Sequence, residues 1–184
     1  MKRITIEGLQ FKLFLSEKEI LNRIEELARE IASKYQHDNP IFLCVLNGSF
    51  YFTAELLKHS LYDYEISFVR VKSYDGLHSA RAIKEFIGLD HTIENRHIII
   101  VEDIVESGLT TNYLVSKLEQ QHPASITIAT LLFKPNKLIH DNLPVDYVGF
   151  SISDEFVIGF GLDLNNKARN LRSIYQLDND SGNN

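Results

Sequence analysis

Three carboxylates fall close together in the stretch IIIVEDIVESGLTT, residues 98–111: Glu102 and Asp103 directly after four apolar residues, and Glu106 just beyond. Ser107, Gly108, Thr110 and Thr111 follow. A loop of this composition, running into a helix, offers unpaired backbone N–H groups and hydroxyls to an anion. Gly108 permits the backbone conformation such a turn needs. The carboxylates repel a phosphate but suit sugar hydroxyls or a divalent cation beside it. Acids and an anion nest on one loop therefore point to a sugar phosphate. The plainer alternative is a helix start whose acids and hydroxyls satisfy only its own N–H groups. The third acid, the glycine and three hydroxyls in one loop favour the ligand site.

The elements that must carry this loop can be read on either side. Ser16 and Glu19 form a capping-box pattern, and Ile20, Leu21, Ile24, Leu27 and Ile31 recur at helical spacing, which predicts a helix over 17–35. IFLCVL (41–46) reads as a buried strand, and FYFTAELLKH (50–59) as a helix after the turn Asn47-Gly48-Ser49. EISFVRVKSY (65–74), a short segment at 83–87, HIIIVE (97–102), SITIATLLF (125–133) and DYVGFSI (146–152) are further strands, with a helix over 111–121. Short apolar strands alternating with helices predict an α/β fold with a mainly parallel sheet covered on both faces. Glu102 and Asp103 then stand at the carboxyl end of a strand, where such sheets bind ligands. Residues 153–177 break the rhythm and are expected to form a small cap, or hood, over one edge; 178–184 are expected to be disordered.

The chain has 184 residues, enough for one domain spanning 1–184. No apolar run approaches the length of a membrane span, and the N-terminus lacks the apolar core of a secretory signal, so a cytoplasmic protein is expected. The net charge of −6, with no basic block, argues against nucleic-acid partners. Cys44, alone in an apolar run, reads as a core residue. All seven histidines are expected at the surface, and no Cys/His cluster has zinc spacing.

EDIVESGLTT resembles the phosphoribosyl-diphosphate-binding motif of the type I phosphoribosyltransferases. VLNGSF, VKSYDG and the long segment LLFKPNK…DYVGFSISDEFVIGFGLDLNNKARNL resemble other parts of that family in the same order, and the last is similar to its 6-oxopurine-specific branch. The resemblance covers roughly 40–177. It implies the type I phosphoribosyltransferase fold with a C-terminal hood. It also implies transfer of ribose 5-phosphate from phosphoribosyl diphosphate to N9 of hypoxanthine or guanine, with Mg²⁺, by a homodimer or homotetramer.

The resemblance also assigns roles. Glu106, Ser107, Gly108, Leu109, Thr110 and Thr111 would hold the 5-phosphate. Glu102 and Asp103 would face the ribose, directly or through the metal, with Asp163 near metal and base. Glu106 stands where the family usually has Asp, as acid/base near purine N7, and is one methylene longer. Leu46, Asn47 and Gly48, with a cis peptide at Leu46–Asn47, and Arg169 would bind diphosphate. Lys134 would donate to the 6-oxo group, Phe156 would stack on the base, and Val157 would offer backbone hydrogen bonds. Ser73 and Tyr74 would open a mobile lid. Taken alone, these residues also admit an Asn-Gly turn, a surface loop, a surface lysine, a core phenylalanine, a turn aspartate and a solvated arginine. Two other functions share the scaffold: a nucleotide-sensing regulator that binds RNA or DNA, and a nucleotide-binding domain without turnover.

Overall fold

The computed structural model describes residues 2–60, 62–74, 82–87, 92–139 and 143–179. Its larger sheet contains β3 (Ile41–Leu46), β4 (Glu65–Tyr74), β5 (Ala82–Ile87), β6 (His97–Val105), β7 (Ser125–Phe133) and β8 (Tyr147–Ser151) in the order β5-β4-β3-β6-β7-β8. Five of these strands are parallel, and β5 runs antiparallel at one edge. A smaller antiparallel sheet joins β1 (Arg3–Ile6), β2 (Leu9–Leu15), β10 (Ile174–Leu177) and β9 (Val157–Ile158) in that order.

Helices cover the large sheet as its apolar strands require. On one face α1 (Glu17–Tyr35) and α2 (Phe50–Lys58) pack Ile20, Ile24, Leu27, Phe52 and Leu56 against Phe42, Cys44, Ile99 and Val101. On the other, α3 (Leu109–Glu119) sets Leu114 and Leu118 against Leu43, Val45, Ile98 and Ile100. The strand residues alternate between the two cores, as a pleated strand dictates. The predicted capping box is formed: the Glu19 amide donates to Ser16 Oγ at 3.3 Å, and the Ser16 amide donates to Glu19 Oε2 at 2.9 Å.

Four features depart from the sequence reading. The strand expected to end at Glu102 continues to Val105, because Ile104 and Val105 pair in register with Leu132 and Phe133 of β7. Glu102 and Asp103 therefore sit within the strand. Strands β1 and β2, which the sequence reading did not assign, pair with β10, so the hood draws on residues 3–15 as well as on 153–177. Asp178, expected in a disordered tail, is buried, and it accepts from Arg3 Nε at 2.9 Å; residues 180–184 lie outside the described residues. His97 is half-buried rather than solvated, with Nδ1 2.8 Å from Ser125 Oγ and its ring 5.7 Å from that of Tyr35.

Among the described residues, no helix is long and apolar enough to cross a membrane. Burial raises the Cys44 thiol to about 11, so it is an inert core group, as its sequence context suggested.

Candidate active site

Strand β6 delivers Glu102 and Asp103 to the carboxyl end of the sheet, and the chain then turns at Gly108 into α3. Gly108 has φ 73°, a left-handed conformation that favours glycine. A side chain there would also crowd Leu143 and Leu138, at 3.0 and 3.1 Å. The N-cap residue of α3, Gly108, supplies no side-chain cap, and the first turn holds no acid. This helix start, which leaves amides without intrahelical partners, borders an open space of about 330 Å³. Glu102, Asp103, Glu106, Ser107, Gly108, Thr110 and Thr111 line it. Leu109 is not among the lining residues; its amide donates to Ser107 Oγ at 3.4 Å. The helix begins at Leu109, two residues earlier than expected.

The opposite wall comes from the loop between β3 and α2. Leu46, Asn47 and Gly48 line the same cavity, and the Leu46–Asn47 peptide is cis. Gly48 is pressed between two neighbours. A Cβ on it would fall 1.5 Å from Asp103 Oδ2, and a Cβ on Gly161 would fall 2.0 Å from the Gly48 carbonyl oxygen. Both positions need glycine because other groups already occupy the space. The pattern G-F-G at 159–161 is the sequence signal for Gly161.

Asp163 and Arg169 close the cavity from the hood side. Arg169 Nη2 lies 2.5 Å from Asp163 Oδ1, and Arg169 Nη1 donates to the Gly161 carbonyl at 2.7 Å. Asp163 also accepts from the Asn166 amide at 2.7 Å, so it holds the turn as well as the arginine. The turn role and the site role coexist in one carboxylate.

Burial pushes Glu102 well above the usual carboxylate range, and the neighbouring Asp103 charge adds to this. Burial likewise raises Asp103 to about 6, partly offset by hydrogen bonds from the backbone amides of Ile104 and of Asp103 itself. Glu102 is buried and Asp103 half-buried, and two adjacent acids with raised proton affinity are short of positive charge. A hard divalent cation, which prefers oxygen donors, would suit them. Among the described residues no group of three His, Cys, Asp or Glu side chains is arranged to hold a metal, so Glu102, Asp103 and Asp163 do not form a closed ligand set. This fits a cation that takes one or two carboxylates and completes its shell with water and phosphate oxygens.

A second cavity, about 230 Å³, adjoins the first and is lined by Asp103, Ile104, Glu106, Phe156, Val157, Leu162 and Asp163. Asp103, Glu106 and Asp163 border both. Phe156 is 45% exposed, with its ring 6.3 Å from that of Phe11 on β2, so it is a wall residue rather than a core residue. The Leu177 amide donates to its carbonyl at 2.9 Å, which ties the segment to β10.

Lys134 differs from a surface lysine. It follows β7 directly, its amide donates to the Val105 carbonyl at 2.9 Å, and Pro135 keeps it out of helical conformation. The residue is buried, and its ammonium donates to Glu106 Oε1. Asp154 Oδ1 lies 3.9 Å from the same Nζ and also pairs with Lys137. Asp154 and Lys137 were not singled out from the sequence, since isolated charges in a polar loop carry no signal of their own.

Ser73 and Tyr74 end β4, where their backbones pair with Ile83 and Ala82 of β5. The expected lid at 75–82 lies outside the described residues, except for Ala82.

Comparisons with known proteins agree with this geometry. Residues 14–165 match the model of the phosphoribosyl transferase domain. The chain is 41% identical to a hypoxanthine-guanine phosphoribosyltransferase of Bacillus subtilis, over 89% of this chain and 91% of that protein. It is 37% identical to a hypoxanthine-guanine-xanthine phosphoribosyltransferase of Tritrichomonas foetus, over 89% of each. A crystal structure of a hypoxanthine phosphoribosyltransferase from Staphylococcus aureus superposes with a TM-score of 0.86 at 33% identity, covering 94% of both chains. By domain match, relatives and architecture together, this chain belongs to the phosphoribosyltransferase family, in its hypoxanthine–guanine branch.

Proposed function

We propose that this chain transfers the 5-phosphoribosyl group from phosphoribosyl diphosphate to N9 of hypoxanthine, and of guanine, giving the nucleotide and diphosphate in purine salvage. The observation that carries the reading is the pair of adjoining cavities that share Asp103, Glu106 and Asp163. One has the amides and hydroxyls of a phosphate site, and the other has an exposed aromatic ring. A nucleotide needs both, joined at the ribose.

The 5-phosphate lies on the turn from Glu106 to Thr111, held by the amides at the start of α3. Glu102 and Asp103 take the ribose hydroxyls, and their charge favours the cationic sugar that develops as the C1–diphosphate bond lengthens. Leu46, Asn47 and Gly48 offer backbone to the diphosphate, and Arg169 offers a guanidinium suited to bidentate contact. Glu102 and Asp103 would hold Mg²⁺, which would supply the positive charge that lets diphosphate and carboxylates share one site. Phe156 stacks on the base, and Val157 offers its backbone to the purine edge. Lys134 donates to the 6-oxo group; an ammonium has only donors, so it suits a carbonyl and disfavours the amino group of adenine. Glu106 exchanges the proton at N7. Ser73 and Tyr74 lead into the segment that closes over the reacting centre. The enzyme works in the cytoplasm as a homo-oligomer.

The test is a spectrophotometric assay with each purine base, phosphoribosyl diphosphate and Mg²⁺. Turnover with hypoxanthine and guanine, none with adenine, and loss of activity on chelation are expected. Nucleotide binding without turnover would leave a non-catalytic binding domain instead. Turnover that persists without divalent metal would remove Mg²⁺ from the reaction.

A further inference from the structure

Lys134 and Glu106 are joined in an ion pair, and they are unequally placed. The lysine side chain is 5% exposed and the glutamate 43%. Among the described residues, Glu106 lines the base-side cavity and Lys134 does not. Of the two charges the carboxylate alone thus borders the cavity, and the less accessible is the ammonium. Glu106 reaches it because its side chain carries one methylene more than an aspartate, and because β6 and β7 run together to their ends. Val105 and Phe133 are register partners, and the Lys134 amide donates to the Val105 carbonyl. The two charged residues are thus the first to follow two paired strands, so their backbones leave the sheet side by side.

We propose that Glu106 masks Lys134 in the free protein and sets the apparent affinity for the base, because the purine must open this ion pair to reach the ammonium. This rests on the reading of Lys134 as the contact to the 6-oxo group. The edge of a 6-oxopurine carries the two groups that can replace the broken pair. The 6-oxo oxygen accepts from the ammonium, and an N7–H donates to the freed carboxylate. Adenine presents an amino group to the ammonium, and so it cannot offset the cost of separating the pair. Asp154, 3.9 Å from the same Nζ, remains as a carboxylate partner for the lysine when Glu106 turns to the base. A protein that must leave a masked state to bind shows an affinity reduced by the unmasked fraction.

Glu106→Asp keeps the carboxylate and withdraws it from Lys134. Two measurements on the full-length protein test the proposal. The first needs no substrate: amine labelling of Lys134 by reductive methylation, quantified by mass spectrometry. Labelling about fivefold faster in Glu106→Asp than in wild type is expected; equal rates overturn the mask. The second is steady-state kinetics. The KM for hypoxanthine should fall about fivefold in Glu106→Asp, a larger change than any in the KM for phosphoribosyl diphosphate, and the gain should vanish in a Lys134→Ala background. A gain that persists without Lys134, or an unchanged KM, overturns the link to base affinity. If wild type transfers to no 6-oxopurine, the proposed function fails, and the labelling rates still decide the mask.

Discussion

The two cavities that meet at Asp103 are built in different ways. The phosphate side draws chiefly on one stretch of chain, Glu102 to Thr111 without Leu109, faced by the Asn47–Gly48 loop and closed by Asp163 and Arg169, with glycines where neighbours leave no room for a Cβ. The base side is made of side chains from separate segments: Glu106 after β6, with Lys134 after β7 paired to it, and Phe156 and Asp163 from the hood. Backbone amides at a helix start suit the 5-phosphate that phosphoribosyl diphosphate and the nucleotide product have in common. Side chains on separate elements can be exchanged one at a time, and so they are suited to choosing the base. Substitutions on the two sides should therefore fail differently.

The largest effect is expected at Glu106, one of the groups bordering both. Glu106→Gln removes the proton acceptor and should lower kcat about a thousandfold, while the KM for phosphoribosyl diphosphate changes little. Unchanged kcat in steady-state assays would refute the acid/base role. Next comes the glycine packing on the phosphate side. Gly161→Ala places a Cβ 2.0 Å from a backbone oxygen at φ +100°, so the loop must move. A loss of about 2–3 kcal/mol in urea unfolding is expected, together with weaker phosphoribosyl diphosphate binding. Wild-type stability and binding would mean that the contact relaxes freely. On the base side, Lys134→Ala should weaken hypoxanthine binding by about 1.5–3 kcal/mol and narrow the preference over adenine, with phosphoribosyl diphosphate binding preserved. Equal losses of both substrates would erase the contrast between the two sides. The smallest effect is expected at Cys44. Its thiol, raised to about 11 by burial, stays protonated and hidden at pH 8, so iodoacetamide should neither label the native protein nor reduce its activity. Rapid inactivation would bring a thiol into the site.

The same contrast explains what the sequence could reveal. The phosphate stretch is contiguous, so its acids, glycine and hydroxyls are adjacent in the chain and their joint meaning is readable. The apolar strands of the large sheet are readable for a similar reason, since each carries its own signal. The strand end at Glu102 was misplaced because charge marks strand ends on average, whereas here pairing with Leu132 and Phe133 extends β6 by three residues. Strands β1 and β2 were missed because they gain their stability from β10, far away in sequence. Lys134 illustrates the limit most plainly. Its burial and its pairing with Glu106 depend on two strands ending together, which neither segment records.

The small sheet has a consequence for biosynthesis. Its central pairing joins residues 11–15 to 174–177, and Phe11 backs the ring of Phe156. A ribosome must deliver residues 174–177 before that pairing can form. The turn around Gly108 can assemble while translation continues, but the wall that holds Phe156 has to wait for β10 to emerge. A growing chain thereby lacks that wall until synthesis has passed Leu177.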